Sequence, residues 1–241
     1  MKVRYIIQAR ISSTRLAGKI LMEIGHKPLL QHIIDRILLS GAERSQICFA
    51  LANENSKELQ EFFIRQNIPW MTGETENVLA RYVLASENMV ENDIIVRFTA
   101  DNPFIDYVCL RDVVKTALGK IKFDLAYPYK LPLGMGFEMF TKGALLRQME
   151  YDLQPHHKEH VTTFIKENRN IFQVEQLNYF ENSPDIRLTI DYQEDLDQAR
   201  KIYDYFQNLD KENFCSGDVF QLYQADPDFF SINRMMKQKK F

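Results

Sequence analysis

The chain has 241 residues, 45% hydrophobic and 26% charged, which is enough apolar content for a sizeable core and too much for a disordered protein. A formal net charge of −3 argues against a general nucleic-acid binder, so no nucleic-acid partner is expected and basic residues must act by local placement. The three cysteines, Cys48, Cys109 and Cys215, have no C-x-x-C spacing, which excludes a disulfide framework or a cysteine-built zinc site.

No apolar run reaches the roughly 20 residues of a membrane span, so no membrane insertion is expected. Met1 to Tyr5 enters a strand too early for a cleavable signal peptide, and a cytoplasmic location follows as the expectation.

Val3 to Ile7 reads as a buried first strand. It leads into Arg10-Ile-Ser-Ser-Thr-Arg15-Leu-Ala-Gly-Lys19, where three cations lie among three hydroxyls and a glycine. Cations crowded at a sheet edge repel one another unless an anion neutralises them, and a triphosphate suits that loop. On spacing alone, a solvated basic surface is the alternative.

Pro28 opens a helix whose Leu29, Leu30, Ile33, Ile34, Ile37 and Leu38 keep helical spacing, and Gly41 closes it. A strand over Ile47 to Leu51, a helix from an N-cap at Ser56 to about Gln66, and a short strand near Trp70 follow. A helix from about Glu76 to Asn88 precedes Asp93 to Phe98, the apolar run of a central strand, which Asp101-Asn-Pro103 breaks.

After a helix from about Asp106 to Leu118, hairpin-like segments are predicted around Asp124 to Tyr127 and Phe137 to Phe140, punctuated by Pro128, Pro132, Gly134 and Gly136. Helices over Lys142 to Tyr151 and Lys158 to Asn168, strands at Phe172 to Leu177 and Ile186 to Ile190, and a helix from Gln193 to Phe206 complete the pattern. Glu194, Asp195 and Asp197 complement the dipole of that last helix. Asp226-Pro-Asp228 and Asn233-Arg234 suggest a surface cap, and Lys237-Gln-Lys-Lys240 a frayed basic tail. The expected fold is α/β: a single domain over 1–241 with a mostly parallel central sheet, helices on both faces and a small β insertion.

Ligands of open α/β sheets bind beyond the carboxyl ends of the strands, which selects the basic loop, Asp101, Asp191 and the segment Gly134 to Glu138. Two carboxylates on separate strand ends suit Mg²⁺, although either acid also fits a turn or a helix N-cap. His156, His157 and His160 have the spacing of a zinc-binding face, against which stands a capped, hydrogen-bonded helix start.

Longer motifs add to this reading. Gln8-Ala-Arg10-Ile-Ser12-Ser-Thr-Arg15-Leu-Ala17-Gly-Lys19 resembles the Q-A-R-x-x-S-T-R-L-P-G-K opening of the CMP-Kdo synthetase and acylneuraminate cytidylyltransferase family, especially its spore-coat polysaccharide branch; Ala17 replaces the proline. Ala100-Asp101-Asn-Pro103 is similar to the family's G-D-x-P, and Asp191-Tyr-Gln-Glu194-Asp195 to D-T-x-E-D. Gly73 to Tyr82 is similar to G-S-x-x-D-V-L-x-R-F, Pro132 to Phe140 to P-D-G-x-D-V-E-V-F, and Lys158-Glu159-His160-Val161-Thr162 to R-E-H-V-T.

The resemblance implies a nucleotide-diphospho-sugar transferase-like fold, with a nucleotide half over about 1–120 and a sugar-side lobe and C-terminal cap over about 121–241. It implies Mg²⁺-dependent transfer of a cytidylyl group from CTP to a sugar, acidic or modified, with release of pyrophosphate for surface polysaccharide synthesis. Arg10, Lys19, Asp101 and Asp191 would be catalytic, with Asp101 and Asp191 holding the metal. Arg10, Ser12, Arg15, Lys19, Arg81 and Thr99 would bind the nucleotide, Glu138, Glu159 and His160 the sugar, and a homodimer is the implied assembly. Two alternatives are a glycosyltransferase using a preformed sugar nucleotide, for which Asp195-Leu-Asp197 supplies D-x-D letters inside a predicted helix, and a non-catalytic nucleotide-binding module, suggested by Ala17, Ala100 and Gly136.

Overall fold

In the computed structural model, which describes residues 1–12, 15–53, 57–120, 122–179 and 183–236, the first strand is β1 (Val3–Ala9). Its side chains alternate between faces: Tyr5, Ile7 and Ala9 join one apolar cluster and Ile6 another. After the basic loop come a 3-10 turn over Lys19–Leu21 and a two-residue ribbon, β2 (Glu23–Ile24) with β3 (Lys27–Pro28), too short to leave a periodic signal. Helix α1 (Leu29–Leu39) buries the predicted apolar stripe and ends before Gly41, which takes a φ of +97°.

Strand β4 (Ile47–Ala52) is buried throughout and leads to α2 (Lys57–Gln66) and β5 (Trp70–Gly73). The predicted cap Ser56 lies outside the described residues. Helix α3 (Val78–Ala85) is shorter than predicted because the Asn77 side chain caps its start by accepting the Ala80 N–H. Strand β6 (Ile94–Thr99) and helix α4 (Tyr107–Lys120) match the predicted central strand and its following helix.

The second half adds β7 (Leu125–Tyr129), β8 (Glu138–Thr141), α5 (Lys142–Arg147), α6 (Pro155–Glu159), α7 (Thr163–Glu167), β9 (Val174–Asn178), α8 (Gln193–Gln207) and α9 (Ser216–Ala225). One sheet runs through both halves in the order β5-β4-β1-β6-β8-β7-β9, and β8 alone runs antiparallel to its neighbours. Residues of α1, α2, α4 and α8 pack on one face, and those of α3, α5 and α7 on the other. This is the α/β fold expected from the alternating pattern.

Three expectations change. The helix predicted over Lys158 to Asn168 is two short helices, because Val161 sits at a φ of +43°, a left-handed conformation that a β-branched residue rarely adopts. Residues 186–190 form no sheet strand: Leu188 N–H bonds the Leu133 carbonyl and Ile190 N–H bonds the Asp101 carbonyl, so the segment is held by two turns. Helix α9 was not anticipated, since Ser216-Gly217 weakened its helical signal.

Candidate active site

A cleft of about 490 Å³ opens beyond the carboxyl ends of β1 and β6. At one side the 3-10 turn, entered through Gly18 at a φ of +68°, turns Lys19 inward until it is only 8% exposed. Its ammonium donates to the Ile190 carbonyl (2.6 Å), to Asp191 Oδ1 (2.9 Å) and, at longer range, to Asp101 Oδ2 (3.4 Å). Arg15 Nη2 donates to the same Asp191 oxygen (2.7 Å), and Arg187 Nη2 to Asp191 Oδ2 (3.0 Å).

The backbone explains how two acids so far apart in sequence meet: Ile190 is hydrogen-bonded to Asp101. Gly134, at a φ of +100°, lies so close to the Leu188–Thr189 peptide that a Cβ would come within 2.4 Å of it. Asp191 is buried, which alone would raise its pKa; Lys19 first, then Arg15 and Arg187, outweigh burial and hold it below the ordinary value.

Behind Asp191 stands a brace that sequence reasoning missed. Asp195 accepts from Arg187 Nε (2.8 Å), Asn233 Nδ2 (2.8 Å) and the Asp191 and Tyr192 N–H groups. Asp195 therefore does more than complement a helix dipole, and the D-T-x-E-D-like spacing was the signal that could have found it. Asp197 instead bonds Gln193 and Arg200 on the surface, so Asp195 and Asp197 do not converge as a glycosyltransferase D-x-D would require.

Asp101 is fixed from its other side. Thr99 Oγ1 donates to Asp101 Oδ1 (2.6 Å), and Asn102 Nδ2 donates to Thr99 Oγ1 (2.8 Å). A hydroxyl has one proton to give. Thr99 lines the cleft as expected for a nucleotide contact, but its donor is committed to Asp101 and not to a pyrimidine edge.

Arg10, Arg15, Lys19, Arg81, Asp101, Asp191, Glu159 and His160 all line the cleft, so the structure brings these predicted site residues to one place. Arg81 is buried, with its side chain passing over Gly73, where a Cβ would meet Arg81 Cγ at 2.9 Å. Ser12 is exposed and outside the cleft wall; Ser13 and Thr14 of the same loop, like Lys237 to Lys240 of the basic tail, lie outside the described residues.

Glu138 is a correction. Its Oε2 accepts from Arg97 Nη1 (2.7 Å) and Thr162 Oγ1 (2.8 Å), and its Oε1 from Lys166, so the carboxylate is occupied by its neighbours and stands behind the cleft wall. Burial would raise its pKa, but Arg97 and Lys166 lower it to about 2. Arg97, not singled out from the sequence, lines the cleft in its place. Burial, and then the Arg97 and His156 charges, hold the His160 pKa below the ordinary histidine value against the opposing pull of Glu159 and Glu138.

The zinc alternative fails on tautomer chemistry. His157 Nδ1 accepts the Gln154 N–H (3.0 Å), which assigns the ring proton to Nε2, where it is donated to Glu167 Oε2 (2.9 Å). Ligand atoms of His156, His157 and Glu167 lie within 4.8 Å of one another, yet His157 has no lone pair facing that point. His160 is elsewhere, in the cleft wall. The capped helix start is what the structure shows.

A mostly parallel sheet whose carboxyl edge gathers two acids and a cationic loop into one cleft defines the protein as a nucleotidyltransferase. The profile of the family described as Cytidylyltransferase matches residues 5–224, and the chain belongs to that family. Spore coat polysaccharide biosynthesis protein SpsF of Bacillus subtilis (strain 168) is 30% identical over 233 residues, which span 94% of this chain and 95% of that protein. The solved structure of a cytidylyltransferase from Leptospira borgpetersenii serovar Hardjo-bovis matches with a TM-score of 0.85 at 27% identity, covering 100% of this chain and 99% of the other. CMP:2-keto-3-deoxy-manno-octonic acid synthetase complexed with CTP matches at a TM-score of 0.65 and 16% identity, over 85% of this chain and 99% of its own; that likeness is one of fold.

Proposed function

We propose that the protein transfers a cytidylyl group from CTP to a sugar, releasing pyrophosphate, as a step in making a surface polysaccharide. The observation that carries this reading is Lys19 seated between Asp101 and Asp191 with Arg15 beside it. Family membership supports CTP as the nucleotide, and the SpsF relative's name supports the polysaccharide. Among the described residues no helix is long and apolar enough to cross a membrane, and the cytoplasm is the proposed site of the reaction.

Arg10, Arg15 and Lys19 grip the β- and γ-phosphates, whose charge they neutralise at the loop. A sugar oxygen attacks the α-phosphorus in line; its bond to phosphorus forms as the bridging bond to the β-phosphate breaks, and pyrophosphate leaves. His160, neutral near pH 7 because its pKa is depressed, takes the proton of the attacking hydroxyl.

Asp101 and Asp191 fit a Mg²⁺ ion, because both carboxylates already converge on one cation and offer hard oxygen donors. When bound, the ion would supply charge neutralisation at the α-phosphate.

Incubation with CTP and candidate sugars, following pyrophosphate, tests the reading. Asp101→Ala should stop release while the fold stays intact. Release at the wild-type rate by that variant would remove Asp101 from the metal site, and no release with any sugar would remove the enzymatic reading.

A further inference from the structure

The far side of the cleft from the basic loop is built around Arg97, which nothing above has given a task. Strand β6 places it opposite Glu138 of β8 in the sheet register. Its Nη1 donates to Glu138 Oε2 (2.7 Å) and its Nε to Gln8 Oε1 (3.1 Å). Nη2 finds no acceptor among the described residues, and it is the edge left for the cleft that the side chain lines.

The polarity of this chain of bonds is fixed from its deep end. Glu138 can only accept and Arg97 can only donate, so the Gln8 amide must turn its oxygen to Arg97. Its NH₂ then turns away from Arg97, and Gln8 also lines the cleft. Both residues thus offer donors and no acceptor.

Charge points the same way. Arg97 and Lys166 share the single carboxylate of Glu138, which leaves one positive charge over. The other acid on this side of the wall, Glu159, is exposed and therefore largely screened by solvent, and Asp101 is already shared with Lys19. An uncompensated, poorly hydrated guanidinium beside a locked amide donor suits a two-oxygen anion.

We propose that Arg97 and Gln8 form a donor-only subsite that selects acceptor sugars carrying a carboxylate. The proposal rests on the cytidylyltransferase reading and adds the residues that choose the acceptor. The triphosphate has its own cations, Arg10, Arg15 and Lys19, at the opposite side beside Asp191, while Arg97 shares its wall with His160 and Glu159.

The test titrates 3-deoxy-manno-octulosonate and glucuronate, each beside its primary carboxamide, into the full chain with CTP present and EDTA added to prevent turnover. An acid should bind about tenfold to a hundredfold more tightly than its amide, the worth of a hydrogen bond to a charged group. Arg97→Gln should erase that difference, and Gln8→Glu, of the same shape but negative, should weaken the acid while sparing the amide. CTP affinity should hold in both variants.

Equal binding of acid and amide by the wild-type chain overturns the proposal without any variant, as does a preference that survives both substitutions. Loss of CTP affinity in Arg97→Gln with sugar preference retained assigns the donor edge to the nucleotide, and also overturns it. Failure of the wild-type chain to bind CTP is a different result, which sinks the functional reading itself.

Discussion

Lys19 Nζ stands 2.9 Å from Asp191 Oδ1, so two residues 172 positions apart in sequence neutralise each other at the centre of the cleft. A nucleotide triphosphate competes with Asp191 for that ammonium. Lys19→Met should lower pyrophosphate release by about a hundredfold or more, the usual effect of deleting a group that stabilises developing charge. Asp191 keeps Arg15 and Arg187, so the variant should fold, as circular dichroism would show. Wild-type turnover by Lys19→Met would mean that the loop grips no phosphate.

Thr99 positions Asp101 by hydrogen bond and adds no charge of its own. Thr99→Val should raise the Mg²⁺ concentration needed for half-maximal rate by about tenfold, the worth of one hydrogen bond to a carboxylate, while Thr99→Ser should restore it. A Mg²⁺ titration of the three proteins reads this directly. Equal requirements in valine and serine variants would show that the hydroxyl has no such role.

Gly134 cannot carry a side chain. Its left-handed φ costs a substituted residue about 1–3 kcal/mol, and a Cβ at 2.4 Å from the Leu188–Thr189 peptide adds overlap with backbone that cannot rotate away. Gly134→Ala should lower the urea midpoint strongly and loosen the segment that delivers Asp191. An unchanged midpoint would show that the close approach is relieved without cost.

Acid should weaken the fold in two stages. His32 is buried, and burial chiefly lowers its pKa from 6.5 to about 4, so its proton is taken up more readily by the unfolded chain. Stability present above pH 6.5 is therefore lost progressively as pH falls toward about 4. Glu138, lowered from 4.5 to about 2, contributes stability present above pH 4.5 that is lost as pH falls toward about 2. Each full loss is on the order of 3 kcal/mol. Urea unfolding across pH should show His32→Gln flattening the first stage and Glu138→Gln the second; profiles identical to wild type would remove both assignments.

How much of this was legible follows from range. Periodicity in Val3 to Ile7, Leu29 to Leu38 and Ile94 to Phe98 reports local burial, and those elements stand where that pattern put them. Asp101 and Asp191 were readable as acids near strand ends, but residues 186–190 form no strand, and their tie to Asp101 is a backbone bond between distant turns. Arg97 and Glu138 were hidden because their pairing depends on which strand lies beside β6. Thr99 carried a signal, a polar residue before a strand-end acid, whose partner only the coordinates identify.

The reversal of β8 has a consequence for engineering the acceptor range. Because this strand enters the sheet head-down beside β6, a one-residue slip would turn Glu138 to the opposite surface and strand Arg97 and Lys166 without their shared counter-ion. A sugar-side lobe transplanted from another enzyme would therefore have to arrive with the same stagger against β6, whatever loops it brings.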